Sequence, residues 1–190
     1  MKIRPSLISL LAAVPVLAVA DGQAFRFPTQ SHANHHGTPW KHGSPLVEKV
    51  RRATERYRDI KVAIAEKWVQ ATPCVSGPNE GAMGVHWVKP ERLNDGVLDP
   101  EQPEALIYEP VGNNRWRLVG VEFIQFAELW DAQNAGPPSL DGHLMNLIGA
   151  PNRYGLDASY ELHVWGWAAN PNGNFADWNT QVTCDKQAGD

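Results

Sequence analysis

The segment ALIYEPVGNNRWRLVGVEFIQF, residues 105–126, decides the fold class. Residues 105–109 and 115–126 are two runs rich in β-branched, aliphatic and aromatic side chains, which favour strands. Gly112-Asn113-Asn114 lies between them, and glycine and asparagine adopt the backbone conformations that tight turns require. The segment therefore predicts an antiparallel β-hairpin.

Upstream of this hairpin, the sequence predicts a helix that begins at Ser44-Pro45 and ends near Ala71. Serine is a favourable helix cap, and proline fits the first helical turn. The end is expected there because Thr72 precedes Pro73, and a residue before proline disfavours helical geometry. Side chains that recur every three or four residues form one helix face; these are Val47, Val50, Thr54, Tyr57, Ile60, Ile64 and Trp68.

Further strands are predicted at residues 83–88 and 160–167. One long N-terminal helix followed by several antiparallel strands is typical of an α+β fold. We therefore expect residues 46–190 to form a single α+β domain. Its helix would pack on a curved antiparallel sheet or on a half-open barrel.

The first 20 residues predict a secretory signal peptide. Lys2 and Arg4 precede a short apolar run, and Ala18-Val19-Ala20 is a small-residue cleavage site. The run is shorter than the roughly 20 residues of a membrane span. We expect a soluble secreted or periplasmic protein with no stable membrane insertion after cleavage. Residues 21–45 have no apolar periodicity and predict a flexible arm that contains His32, His35, His36 and His42.

The charge of the chain is weakly acidic, with 17 basic and 21 acidic residues and a formal net charge of −4. Loss of the signal peptide would remove two of the basic residues and none of the acidic ones. Nucleic-acid-binding domains normally present a basic face. We therefore expect no nucleic-acid partner.

Cys74 and Cys184 are the only two cysteines. In an oxidising compartment two cysteines usually pair with each other. No C-x-x-C spacing favours a cysteine metal site instead. The sequence therefore predicts a disulfide that joins the region after the helix to the C-terminal tail.

Three residues in predicted strands are candidate metal ligands: His86, Glu122 and His163. A glutamate in a strand as apolar as residues 118–124 is costly to bury unless it is paired, protonated or bound to a metal. Two imidazoles and one carboxylate can bind zinc, copper or iron and leave coordination positions open. The alternative is that all three are paired polar groups, with Arg115 or Arg117 as the partner of Glu122.

Three further residues, Glu161, Glu109 and His143, are candidates to assist the three ligands, as a fourth ligand or by orienting the others. An open metal site supports Lewis-acid or redox chemistry. Glu161 is the candidate catalytic residue for such chemistry. The sequence thus favours a metalloenzyme or a metal carrier.

Several tryptophans suggest a different function. Strict alternation along residues 160–167 would place Glu161, His163, Trp165 and Trp167 on one face of a strand. Together with Trp87, the indoles of Trp165 and Trp167 could then stack on a sugar or an aromatic molecule. The alternative to the metal site is therefore a metal-free module that binds a small ligand on a tryptophan-lined face.

The chain also resembles a group of uncharacterised exported bacterial proteins. The resemblance covers roughly residues 53–184 and is carried by short stretches. Lys67 and Trp87 depart from it, since glycine and tyrosine are expected there. The resemblance implies a single exported domain and no particular activity, cofactor or substrate. Its main stretches are Gly84-Val85-His86, Leu118-Val119-Gly120-Val121-Glu122 and Glu161-Leu162-His163-Val164-Trp165.

Overall fold

The structure is a computed structural model that describes residues 43–152 and 154–187. The predicted signal peptide, and the predicted arm up to residue 42, lie outside the described residues. No helix within the described part of the chain has the length and apolar character needed to span a bilayer.

The N-terminal helical region begins where the sequence predicts and is interrupted at Asp59. Helix α1 (Pro45–Thr54) continues as a 3-10 turn (Glu55–Arg58), and helix α2 (Ile60–Ala65) follows. Asp59 has an extended backbone, and its carboxylate accepts a hydrogen bond from the Lys61 backbone N–H. This local cap restarts the helix. The expectation of one continuous helix to Ala71 is therefore wrong, and Ile64 on the predicted apolar stripe is 53% exposed.

Helix α2 ends in a Schellman motif. The Lys67 N–H donates to the Ile64 carbonyl and the Trp68 N–H donates to the Ala63 carbonyl, both at 3.0 Å. This closure requires a left-handed backbone at the residue after the cap, and Lys67 has a φ of 64°. Glycine adopts this conformation without steric cost, whereas a residue with a Cβ does not.

Replacing Lys67 by glycine is therefore expected to raise the free energy of unfolding by about 0.5–1 kcal/mol. The gain is the relief of left-handed strain, reduced by the greater entropy of glycine in the unfolded chain. Lys67 is exposed, so few side-chain contacts are lost. Chemical denaturation measures the difference. Lys61→Gly, an exposed position inside α2, is the matched control and should lower stability by about 1 kcal/mol. A Lys67→Gly protein destabilised to the same extent would contradict this account.

The strands form one open antiparallel sheet of seven strands and a separate pair. Six strands follow the order β1-β3-β4-β5-β9-β8, and β2 pairs with the same edge of β3 as β1. Within the described residues the two outer edges do not pair, so the sheet does not close into a barrel. The bounds are β1 (Val69–Gln70), β2 (Val75–Gly77), β3 (Gly81–Val88), β4 (Ala105–Gly112), β5 (Arg115–Phe126), β6 (Ser139–Leu140), β7 (His143–Leu144), β8 (Asn146–Ile148) and β9 (Ser159–Val164), with a short helix α3 (Ala127–Asp131) after β5.

One face of the sheet packs against the helices and forms the larger hydrophobic core. The Tyr108 hydroxyl donates to the Tyr57 carbonyl at 2.6 Å and so joins β4 to the 3-10 turn. The predicted hairpin of β4 and β5 supplies the centre of this face. The buried residues at its heart are Leu46, Val50, Tyr57, Leu106, Tyr108, Val121, Phe123, Leu162 and Val164.

A bulge in β5 changes which residues share the opposite face. The register shifts where Ile107 pairs with Gly120 and Tyr108 pairs with Leu118, so Val119 is the extra residue. Leu118 therefore packs in the core on the helix side, whereas Val119 joins a smaller cluster with Trp165. Strict alternation along residues 118–124 predicts that Leu118 and Glu122 share a face, and this prediction is wrong because of the bulge.

The chain after β9 lies against this second face and is fixed covalently. Cys74 and Cys184 form the predicted disulfide, with their Cα atoms 5.6 Å apart. The Trp165 indole N–H donates to the Ala176 carbonyl, and Asn179 forms an antiparallel bridge with Ala82 of β3. The second face of the sheet is thus covered by loops rather than by helices.

Candidate metal centre

The second face of the sheet brings His86, Glu122 and His163 together, from β3, β5 and β9. Glu122 and His163 are direct cross-strand partners. On the other side of β5, Ala105 of β4 pairs with Glu122, and His86 of β3 pairs with Ile107, two residues further along β4. Directly opposed residues of antiparallel strands point to the same side of the sheet. Strand pairing therefore accounts for the convergence.

Gly120 makes room for the loop that covers this group. A Cβ there would lie 2.9 Å from the Val164 carbonyl oxygen and 3.5 Å from the Trp165 indole. Only glycine lets the chain after β9 approach β5 this closely. Gly120 therefore permits a close approach on the face that carries Glu122.

The three candidate ligands face one another at metal-binding separations. The His86 Nε2 atom lies 3.4 Å from one Glu122 carboxylate oxygen, and the His163 Nε2 atom lies 3.5 Å from the other. One ligand atom from each residue falls within 4.8 Å of the others. Zinc–nitrogen and zinc–oxygen distances of about 2.0–2.2 Å place tetrahedral ligands about 3.3–3.6 Å apart. The two nitrogen–oxygen separations fall in this range, each to a different Glu122 oxygen, and the donor set suits a transition-metal ion.

The second nitrogen of each imidazole faces an oxygen-bearing side chain. The His86 Nδ1 atom lies 3.2 Å from the Thr72 hydroxyl, which also accepts from the His86 backbone N–H. The His163 Nδ1 atom lies 3.7 Å from an Asp177 carboxylate oxygen. Such partners orient metal-binding histidines, because a proton held on Nδ1 leaves the Nε2 lone pair for the metal.

Burial determines the protonation states of the three candidate ligands at neutral pH. Burial lowers the pKa of His86 to about 3, with a smaller contribution from the neighbouring His163 ring, and it lowers the pKa of His163 to about 4. Burial raises the pKa of the Glu122 carboxyl well above its ordinary value, and the adjacent Glu161 raises it further. Both imidazoles are therefore neutral at pH 7, which is the form that binds metal.

Some buried polar atoms of this group have no hydrogen-bond partner among the described residues. Among the described residues, neither ring nitrogen of His163 has a hydrogen-bond partner, although the side chain is only 2% exposed. No lysine or arginine of the described residues forms an ion pair with Glu122 or Glu161. The two carboxyl groups share a hydrogen bond with each other instead, whereas a buried imidazole without a partner is costly. A bound cation would satisfy the free nitrogen and the carboxylate together.

Glu161 lies next to the three ligands rather than among them. Its carboxylate accepts from the Ser159 hydroxyl at 2.6 Å and contacts the Glu122 carboxyl. Burial raises its pKa, whereas the hydrogen bonds from Ser159 and Glu122 oppose the shift. A carboxyl of this kind can hold or release a proton beside a metal ligand. The predicted catalytic role of Glu161 stays a prediction.

The other predicted site residues lie elsewhere. His143 stacks on Phe175 with ring centroids 3.8 Å apart and contacts the Ser44 hydroxyl, so it does not join the three ligands. Its predicted assisting role therefore has no support in the geometry. Glu109, another candidate assisting group, pairs with Arg117 and accepts from the Thr183 N–H. The alternative pairing of Arg117 with Glu122 is therefore not observed.

The three predicted stacking tryptophans do not line one surface. Trp165 is fully buried on the metal-site face, 6.2 Å from the His163 ring. Trp87 packs against Tyr108 and Trp116 on the helix side. Trp167 also lies on the helix side, where it donates to the Thr54 hydroxyl. Strand alternation does not reach Trp167, because β9 ends at Val164.

A further buried carboxyl, Glu104, was not singled out from the sequence. It is 1% exposed and accepts from the Ile124 backbone N–H at 3.0 Å. Burial raises the pKa of Glu104 to about 8. Thr72 and Asp177 were missed as orienting groups as well, since both come from loops whose path the local sequence does not specify.

The Glu104 carboxyl makes stability depend on pH. Because its pKa is raised on folding, its contribution is fully present below about pH 4.5 and is lost as the pH rises through about 8. Glu104→Gln keeps an oxygen for Ile124 and cannot ionise. Relative to the unchanged protein, this variant should gain stability steadily from pH 5 to pH 8. Urea denaturation at several pH values measures the difference, and the exposed Glu101→Gln is the control. A difference independent of pH would refute a raised pKa.

Comparison with family models, with curated proteins and with solved structures finds no match to this chain. The function must therefore be argued from the site itself. Its chemistry is that of two neutral imidazoles and one carboxylate, all buried, with a second carboxyl in contact. Three-ligand sites of this type leave at least one coordination position for another molecule.

Proposed function

We propose that the protein is an exported metalloenzyme whose single transition-metal ion is bound by His86, Glu122 and His163. The observation that carries the proposal is the buried His163 ring, whose Nε2 atom has no hydrogen-bond partner and faces Glu122. Zinc, copper and iron all suit this donor set. When bound, the metal would supply Lewis-acid or redox chemistry at its open position.

The protein residues around the ligands support an enzyme rather than a carrier. The Thr72 hydroxyl faces the Nδ1 atom of His86, and the Asp177 carboxylate faces the Nδ1 atom of His163. These side chains would fix the orientation of the two imidazoles. Glu161 would hold or accept a proton within reach of a molecule bound next to Glu122. A carrier needs ligands that exchange, whereas these ligands lie on three paired strands of one sheet. The role of Glu161 as the catalytic acid or base belongs to this proposal.

One structural observation and two sequence predictions support an exported location. The Cys74–Cys184 disulfide is typical of an oxidising compartment. The predicted signal peptide and the resemblance to exported proteins agree with it. We propose a secreted or periplasmic protein. No observation favours the metal-free binding module, because Trp87, Trp165 and Trp167 do not share a surface.

Elemental analysis of the untagged full-length protein tests the proposal. After dialysis against zinc, copper or ferrous iron, the unchanged protein should retain one more equivalent of a transition metal than Glu122→Gln. This substitution preserves the size of the side chain and removes the anionic ligand, so affinity should fall at least about 100-fold. Both proteins contain the histidines of residues 21–45, so metal bound there cancels in the difference.

Glu104→Gln is the matched control, since it neutralises a buried glutamate that is not among the three ligands. It should retain as much metal as the unchanged protein. Equal metal content in Glu122→Gln and the unchanged protein would refute the proposed site.

A further inference from the structure

A small cavity opens directly onto the proposed metal centre. Its volume is about 50 Å³, and its polar lining includes His86, Glu122 and Glu161. The remaining wall is mainly apolar, with Val88 and Ile124 from the sheet and with Tyr154 and Leu156 from the loop before β9. A molecule in this cavity would touch two of the three proposed ligands and the proposed proton donor.

Hydrogen bonds of the loop before β9 hold the side of the cavity that Tyr154 and Leu156 form. The Asn152 side-chain oxygen accepts from the backbone N–H groups of Tyr154 and Leu156, at 3.1 and 3.2 Å. The Asn152 amide donates to the Leu156 carbonyl, and the Tyr154 hydroxyl contacts the Met83 sulfur at 3.0 Å. Strands form the opposite wall. The cavity therefore lies between strands of the sheet and a loop segment that is held by local hydrogen bonds.

We propose that this cavity restricts the metal centre to substrates of about two to four non-hydrogen atoms, an inference that rests on the proposed metal site. A volume of about 50 Å³ holds only a few water-sized groups. The wall offers few polar atoms for recognising a larger substrate, because the Thr72 hydroxyl already contacts His86. Orientation would come from the metal and from Glu161. A small molecule, rather than a sugar chain or a peptide, fits this arrangement.

Leu156 is the residue that tests the size limit. It is 42% exposed, so it can be shortened with little loss of core packing, and it is not a ligand. Leu156→Ala should enlarge the cavity without changing the donor set. Leu129→Ala is the matched control, since Leu129 is 45% exposed on α3 and does not line the cavity.

The experiment uses the full-length protein loaded with one equivalent of cobalt(II), whose visible spectrum reports its ligands. Azide is the probe, and formate and benzoate compete with it through the same carboxylate chemistry. We expect azide to change the spectrum and formate to compete at least about tenfold better than benzoate. In Leu156→Ala the preference should fall below about threefold, whereas Leu129→Ala should keep it.

The possible failures are distinguishable. If benzoate competes as well as formate in the unchanged protein, or if azide leaves the spectrum of cobalt at this site unchanged, the size limit is refuted while the metal site stands. If the spectrum matches that of the His163→Ala protein, cobalt is bound elsewhere. That result would refute the proposed metal site and the size limit with it.

Discussion

Replacing Cys74 and Cys184 by serine is expected to lower the free energy of unfolding by about 4–5 kcal/mol. The disulfide closes a loop between residues 110 positions apart. Cross-links that close loops of this length remove about 4–5 kcal/mol of chain entropy from the unfolded state. It also joins the segment after β1 to the C-terminal tail, which covers the second face of the sheet. Chemical denaturation of the oxidised protein and of the double variant measures the loss.

Reduction supplies the control for this expectation. Dithiothreitol should destabilise the unchanged protein by a similar amount and leave the double serine variant unaffected. Stability of the double variant within about 1 kcal/mol of the unchanged protein would show that the disulfide contributes far less than loop closure predicts.

Zinc is expected to stabilise the unchanged protein and to lose this effect in His163→Ala. A ligand that binds only the folded state adds about 2.7 kcal/mol to the free energy of unfolding at 100 times its dissociation constant. His163 supplies a buried, unsatisfied nitrogen to the proposed site. Removing it should weaken zinc binding at least about 100-fold, so the added stability should almost disappear.

His143→Ala is the matched control for this measurement. His143 lies on β7, outside the group of three ligands, so its variant should respond to zinc like the unchanged protein. Denaturation with and without zinc, followed by addition of a chelator, gives the difference. Equal stabilisation of the His163→Ala protein would place the zinc elsewhere in the chain.

The parts of the fold that the sequence predicts are those with strong local signals. The hairpin of β4 and β5 follows from strand composition around Gly112-Asn113-Asn114, and the α+β class is confirmed. The α1 start at Ser44-Pro45 is correct as well. The break at Asp59 was missed, because the apolar periodicity continues across it while one side-chain hydrogen bond restarts the helix.

For the candidate site as well, the sequence predicts residues within regular strands better than residues placed by loops or distant pairing. His86, Glu122 and His163 were found because each lies within a strand, where alternation predicts the face of the sheet. His143 and Trp167 were misplaced, since pairing between distant segments and the end of β9 decide their positions. The bulge at Val119 places Leu118 on the helix side of the sheet, away from Glu122. No local sequence pattern predicts this bulge. Thr72 and Asp177 reach the site from loops, which periodicity does not describe.

Anomalous X-ray diffraction from crystals of the zinc-loaded protein would locate the metal ion. We expect one strong peak among the His86 Nε2, His163 Nε2 and Glu122 carboxylate atoms, at about 2.0–2.2 Å from each. Glu161 should lie beside the peak, which should border the cavity lined by Leu156. Zinc bound only at other residues, with these three side chains left as they are, would contradict the account.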